Sequence, residues 1–406
     1  MSSDPTQAIA VDVVIFGGGV AGLWLLNRLR KAGYQAVLLE ADRLGTGQTR
    51  YAQGIIHGGT KYALTGKLTG SSEAIAEMPA IWRACLSGEG ELDLRTVKRL
   101  STNQFMWSTE SLTSRMAGFF ASKLMRSRTG TVEGEERPEV FRNPAFKGHV
   151  YRLEEPVLDT ASLVEALAEP QRDAIFRIPG SDGMRMLRTE EGWQVNLIEG
   201  ERRVRFNAKR LVFAAGKGNA ALLKQVGRET PPMQLRPLNM VMVRGGKGKP
   251  LPGTLYAHCL GASANPRITI TTHFDAHDNR VWYIGGQIAE EGVDREHDEQ
   301  VAAAKKELAE LFPWLDLSVA QWGTLPIDRA EPRMPDGSRP DNVFVDEHDG
   351  IITAWPTKLA LSPRLAAVII EKIQQDGVQP MENGTLPEWP HPDYAPLPWQ
   401  EEERWN

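Results

Sequence analysis

Apolar positions along this chain recur with two different periods. Residues 11–16 (VDVVIF) form a short β-branched run closed by glycines, the pattern of a parallel strand buried on both faces. Leu23, Leu26, Leu29 and Ala32 then repeat at helical spacing until Gly33 stops the helix. Residues 36–39 form a second buried strand, which ends in Glu40. Two more runs of the same kind come late. Residues 210–213 lead through Ala214, Ala215 and Gly216 into a helix over 220–226, and residues 350–354 precede a helix over 362–374.

Between these runs the period changes to two. Residues 184–188, 194–199 and 202–206 read as a small meander that leads back to Leu211. In residues 267–274, Ile268, Ile270, Thr272 and Phe274 fall on one face and Thr269, Thr271 and His273 on the other. Residues 281–286 pair with that run across a turn at 275–279, and its polar face is either the floor of a pocket or a solvated surface. Residues 299–312 have helical spacing and stop at Pro313. Residues 127–144, charged and glycine-bearing, read as a surface loop or a mobile cover. The proline- and tryptophan-rich residues 381–406 read as a tail that packs on the surface or contacts a partner, packing being the simpler choice.

Between the first strand and the first helix stand Gly17, Gly19 and Gly22. Gly17 permits the tight turn, Gly19 lets a pyrophosphate approach the backbone, and Gly22 lets helix and strand pack closely. Val20 and Ala21 open the helix, whose first N–H groups face the phosphates, and Glu40 is placed to accept from an adenosine ribose. Strand, glycines, helix, strand and terminal acid in that order predict a dinucleotide site. Composition narrows the rest. Hydrophobic content of 41% and charged content of 24% are ordinary for a globular protein, and a net charge of −5 argues against a nucleic-acid partner. Cys85 and Cys259 stand far apart with no CxxC, so no cysteine-ligated metal or dithiol pair is expected. The first residues lack a positive region and an unbroken apolar stretch, so a cytoplasmic protein is expected.

A sheet entered near the start, the middle and the end of the chain suits one extended FAD better than a compact NAD module. Gln48-Thr49 followed by Gly54, Ile56, His57, Gly59 and Tyr62 resembles the flavin-contacting segment of L-2-hydroxyglutarate oxidases and dehydrogenases. Ile56-His57-Gly58-Gly59 is also similar to that of FAD-dependent glycerol-3-phosphate dehydrogenases, and Thr357-Lys358-Leu359 resembles their glycine–lysine segment before the last helix. The whole chain thus resembles the D-amino-acid-oxidase-like FAD oxidoreductases. The resemblance implies an α/β protein of GR2 flavoprotein type. Its Rossmann-like FAD domain would take residues 1–80, 152–230 and 335–380, and an α+β substrate domain on an antiparallel sheet would take 81–151 and 231–334. It adds Gln48, Thr49, Gly54, Ile56, Ala215, Gly216, Thr357, Lys358 and Leu359 to the FAD contacts. Where such families carry paired glycines, this chain has Trp355-Pro356, whose ring is expected to crowd the substrate side of the flavin.

His57 has the chemistry to accept a substrate proton, and the resemblance favours that role over a purely structural one. Arg329 and Lys358 are the first choices to grip a small anionic substrate, with Arg339 third and Arg333 more readily a surface ion pair. Three functions compete: oxidation of a small anionic hydroxy compound (2-hydroxy acid or glycerol-3-phosphate type), oxidation of an amino acid or secondary amine, and a flavin-bearing relay or assembly subunit. The electron acceptor (oxygen, quinone or a protein) and a peripheral membrane or protein partner stay open. A flavin-type aromatic hydroxylase is disfavoured because the chain has no Gly-Asp dipeptide.

Overall fold

The structure, a computed structural model, describes residues 7–59, 70–109, 129–180, 182–246, 248–260, 266–338, 340, 342–382 and 384–405. Two large sheets carry the site. In the first, the order is Phe344–His348, Ile351–Trp355, Arg202–Phe213, Gln7–Phe16, Ala36–Glu40 and Ile175–Arg177. The last five of these run parallel, and Phe344–His348 closes one edge in the antiparallel sense. Val13 and Ile15 point to one face, beneath the helices Val20–Lys31, Thr160–Ala168 and Ser362–Gln375. Val14 and Phe16 point to the other, which the strands Met184–Arg188 and Trp193–Glu199 and the helix Asn219–Gln225 cover. Burial on both faces is why the strand is apolar without alternation. The expected meander and the late cofactor strand prove to be continuous, because Arg202–Phe213 is one strand whose early half pairs with Trp193–Glu199 and whose last residues pair with Ile351–Trp355. A run free of glycine and proline gives no reason to stop at Phe206.

The second sheet is mostly antiparallel, in the order Gln321–Pro332, Met233–Arg244, Arg280–Gly285, Thr269–Phe274, Ala257–Cys259, Gln104–Trp107, Val150–Leu153 and Thr129–Val132. Its two longest strands pair from Met233↔Pro332 to Arg244↔Gln321 and form the wall that faces the first sheet. The helix His297–Leu311, predicted to within two residues, covers one face through Val301, Ala304 and Leu308. The helix Gly70–Ser87 belongs with the first sheet: Trp82 meets Trp24 at 4.6 Å and donates to the Ala360 carbonyl at 2.9 Å. The first strand of the antiparallel sheet in chain order is Gln104–Trp107. Within residues 127–144, Ser127 and Arg128 lie outside the described residues. The remainder is no mobile cover: Thr129–Val132 is a sheet strand, and Phe141 is buried against Trp107.

The alternating run Thr269–Phe274 has no solvated face. Thr271 and His273 are as buried as their neighbours, because the C-terminal segment lays Trp399 over His273 at 4.0 Å. Burial holds the His273 imidazole far below the ordinary histidine range, at about 3. The unfolded chain takes up that proton near pH 6.5, so between about 6.5 and 3 it binds more protons than the native state, and acid destabilises the fold. The thermal midpoint is expected to fall between pH 7 and pH 5, and His273→Phe should flatten that fall. An equal fall in both proteins would place the acid sensitivity elsewhere.

Candidate flavin and substrate site

A cavity of about 1060 Å³ opens where the carboxyl ends of the parallel strands meet the long antiparallel wall. At its inner end the chain turns sharply at Gly17, whose φ of +112° and approach to Ala214 and Ala215 leave no room for a side chain. Gly22 does not line the cavity; it is pressed against the Gly17 carbonyl, where a methyl carbon would sit 2.0 Å from the oxygen. Gly19 precedes the helix Val20–Lys31, and Thr49 Oγ1 accepts from the Val20 N–H at 3.1 Å. The Glu40 carboxylate accepts from the N–H groups of Gly18 at 2.5 Å and Asp42 at 2.8 Å. Burial raises its pKa, and those backbone donors oppose the rise.

Gln48 bridges the two sheets, its Oε1 accepting from the Ala330 N–H at 3.0 Å. Gly54 is required by packing, since its φ is +75° and a Cβ would meet the Leu158 carbonyl at 2.0 Å. Ala215, Gly216, Thr357, Lys358 and Leu359 line the far side of the cavity. Thr357 is a β-branched residue at a φ of +63°, held there by its hydroxyl on the Asn342 carbonyl at 3.1 Å. Ile56, expected to touch the flavin, is instead fully buried in the helix-side core, because its neighbours on either side turn outward. Trp355 lines the cavity with its indole 1% exposed, lying beside Phe344 and donating to the Gly216 carbonyl at 3.1 Å.

His57 lines the same cavity with Nδ1 3.4 Å from Glu155 Oε2, and Glu155 Oε1 accepts from the Gly58 N–H at 2.7 Å. The His258 ring stacks on His57 at 5.6 Å, and its Nδ1 bonds Thr269 Oγ1 at 2.7 Å. Arg329 and Arg236 are direct cross-strand partners on the wall, and both line the cavity; Arg236 is also 3.4 Å from Glu331. Lys358 lines the same cavity. Arg333 is exposed and away from the cavity, while Arg339 and Tyr62 lie outside the described residues. Thr269, on the polar face read as a possible pocket floor, lines the cavity, whereas sequence reasoning missed Glu155, His258 and Arg236. A carboxylate ahead of Pro156 was a visible but unspecific signal for the first, and no local pattern marked the others.

These residues fit an extended dinucleotide. The glycine turn leaves backbone where a pyrophosphate would lie, Glu40 would meet the adenosine end, and Gln48, Gly216, Thr357 and His57 line the same cavity. Glu40→Ala should weaken FAD binding about 10–100-fold, because a hydrogen bond to a charged group contributes roughly 1.5–3 kcal/mol. An unchanged FAD dissociation constant would mean that the acid holds only its own turn.

The chain matches the family model for FAD-dependent oxidoreductases of DAO type over residues 12–361. It is 49% identical over 396 residues to a probable FAD-dependent oxidoreductase of Pseudomonas aeruginosa, covering 97% of this chain and 98% of that one. The crystal structure of an FAD-dependent oxidoreductase from that organism superposes with a TM-score of 0.82 at 44% identity, over 97% of this chain and 98% of the other. Glycine oxidase from Geobacillus kaustophilus (TM-score 0.63, 18% identity, 90% and 95% covered) shares the fold. So does L-α-glycerophosphate oxidase from Mycoplasma pneumoniae with FAD bound (TM-score 0.63, 14% identity, 96% and 99% covered). Among the described residues no helix is long and apolar enough to cross a membrane. With the family model matched over residues 12–361 and a relative 49% identical along almost its whole length, this chain belongs to the DAO family of FAD-dependent oxidoreductases.

Proposed function

We propose that the enzyme oxidises a small anionic hydroxy compound, of the 2-hydroxy acid or glycerol-3-phosphate type. The observation that carries this reading is the His57–Glu155 pair in the cavity wall. Bound FAD supplies the acceptor for the hydride of the substrate C–H. An alcohol must also lose its O–H proton as the hydride leaves, whereas a neutral amine already offers a lone pair, so a placed base favours the hydroxy compound. Glu155 orients the imidazole through Nδ1 and favours the cation formed when Nε2 takes that proton. Arg329 and Lys358, with Arg236 beside them, hold the carboxylate or phosphate and so fix which carbon is presented.

An anaerobic screen of hydroxy acids, glycerol-3-phosphate, amino acids and secondary amines, followed by flavin bleaching, tests this reading. Bleaching is expected with a hydroxy compound. Bleaching by amines alone would replace it with an amine oxidase, and bleaching by none of them would favour a relay subunit. Oxygen, a quinone and a protein acceptor are separated by reoxidising the bleached enzyme with each.

A further inference from the structure

The C-terminal segment crosses from one sheet to the other and touches the cavity's outer loop at three places. The Asp393 carbonyl accepts from the Leu44 N–H at 2.8 Å, and the Ala395 N–H donates to the Leu44 carbonyl at 3.0 Å. Further on, Glu401 forms an ion pair with Arg50, both side chains being less than one-fifth exposed. Between these points Trp399, 1% exposed, packs on Tyr283 at 5.4 Å, and the Tyr283 hydroxyl donates to the Tyr51 carbonyl at 3.1 Å. The bracketed stretch supplies Gln48, Thr49 and Gln53 to the cavity wall, while Arg50 is directed outward to the tail.

We propose that this segment is a strap that holds the flavin loop shut, with Glu401 and Trp399 as positioning residues for cofactor retention. The loop's own bonds are short-range: Arg50 N–H to the Gly45 carbonyl, Tyr51 N–H to Gly47 and Ala52 N–H to Thr49. Such turns set its shape, and two direct bonds tie it to the glycine turn, from the Gly45 N–H to the Gly18 carbonyl at 2.9 Å and from the Val20 N–H to Thr49 Oγ1 at 3.1 Å. The strap backs those two bonds from the far side of the loop, through Leu44 and Arg50. Losing one of its attachments lets the loop swing outward, and FAD departs faster without any change in the groups that touch it. This inference rests on FAD binding and is independent of the substrate.

The test is the rate of FAD release after dilution of the holoenzyme, followed by the rise in free-flavin fluorescence, alongside the thermal midpoint of each apoprotein. Glu401→Gln, close in shape, and Trp399→Leu should each release FAD about tenfold faster. Trp389→Phe is the comparison: it removes a strap hydrogen bond to the Arg177 carbonyl and none to residues 44–53. Its release rate should stay within twofold of the parent, even where its apoprotein midpoint falls as much as that of Trp399→Leu. Equal release rates in Glu401→Gln and Trp389→Phe would overturn the proposal, whatever Trp399→Leu does.

Discussion

A His57→Ala enzyme is expected to stay yellow and to reduce its flavin on the order of 10²–10⁴-fold more slowly, the range lost with a general base. Retention follows from geometry, because the bonds that shape the cofactor cradle (Gly18 to Glu40, Val20 to Thr49, Gln48 to Ala330) do not involve the imidazole. Glu155→Gln is the companion variant. It can keep the Gly58 N–H bond but loses the charge beside Nδ1, so a smaller loss of about 10–100-fold is expected, as for other orienting partners. Stopped-flow reduction with a substrate from the screen measures both. A His57→Ala enzyme that reduces at the parental rate would make the histidine structural. His273 could not take its place, since it is sealed under Trp399 and held neutral by burial.

Gly22→Ala should cost FAD binding heavily. The added carbon would lie 2.0 Å from the Gly17 oxygen, and the turn cannot retreat because Gly17 is already pressed on Ala214 and Ala215. The helix must move instead, at roughly 1–3 kcal/mol for overpacking, and it carries the Val20 N–H away from the phosphates. FAD affinity should fall by roughly 10²-fold or more, read by fluorescence titration of the apoprotein. Gly384→Ala, where a methyl would meet nothing within 4 Å, should bind FAD as the parent does. Parental affinity in Gly22→Ala would mean that the helix is looser than its packing indicates.

The cofactor half was legible because its signals are local. Gly17, Gly19, Gly22 and Glu40 fall within one strand–helix–strand unit, and the apolar runs at 210–213 and 350–354 can only be buried strands. What was not legible depends on distant partners. Glu155 acquires meaning from His57, nearly a hundred residues earlier, and the Thr271 and His273 side read equally as pocket floor or solvated face, because its cover, Trp399, comes from the distant tail. Trp355 lines the cavity, and what the sequence could not show is the Gly216 carbonyl that holds its indole. Ile56 is buried because a residue between two cavity-facing ones in an extended segment points to the core.

The strand Ile351–Trp355 joins Arg202–Phe213 through Leu211↔Ile351, Val212↔Ile352 and Phe213↔Thr353. Seen in the order of synthesis, the glycine turn leaves the ribosome first and the opposite wall of the cavity leaves last, with the whole antiparallel sheet made in between. Flavin therefore gives the nascent chain no protection. Until residue 355 has emerged, the apolar edge at residues 211–213 stands unpaired, open to any strand that finds it. Overproduction that outruns folding should strand the chain at this stage, and added riboflavin would not rescue it; slower synthesis would.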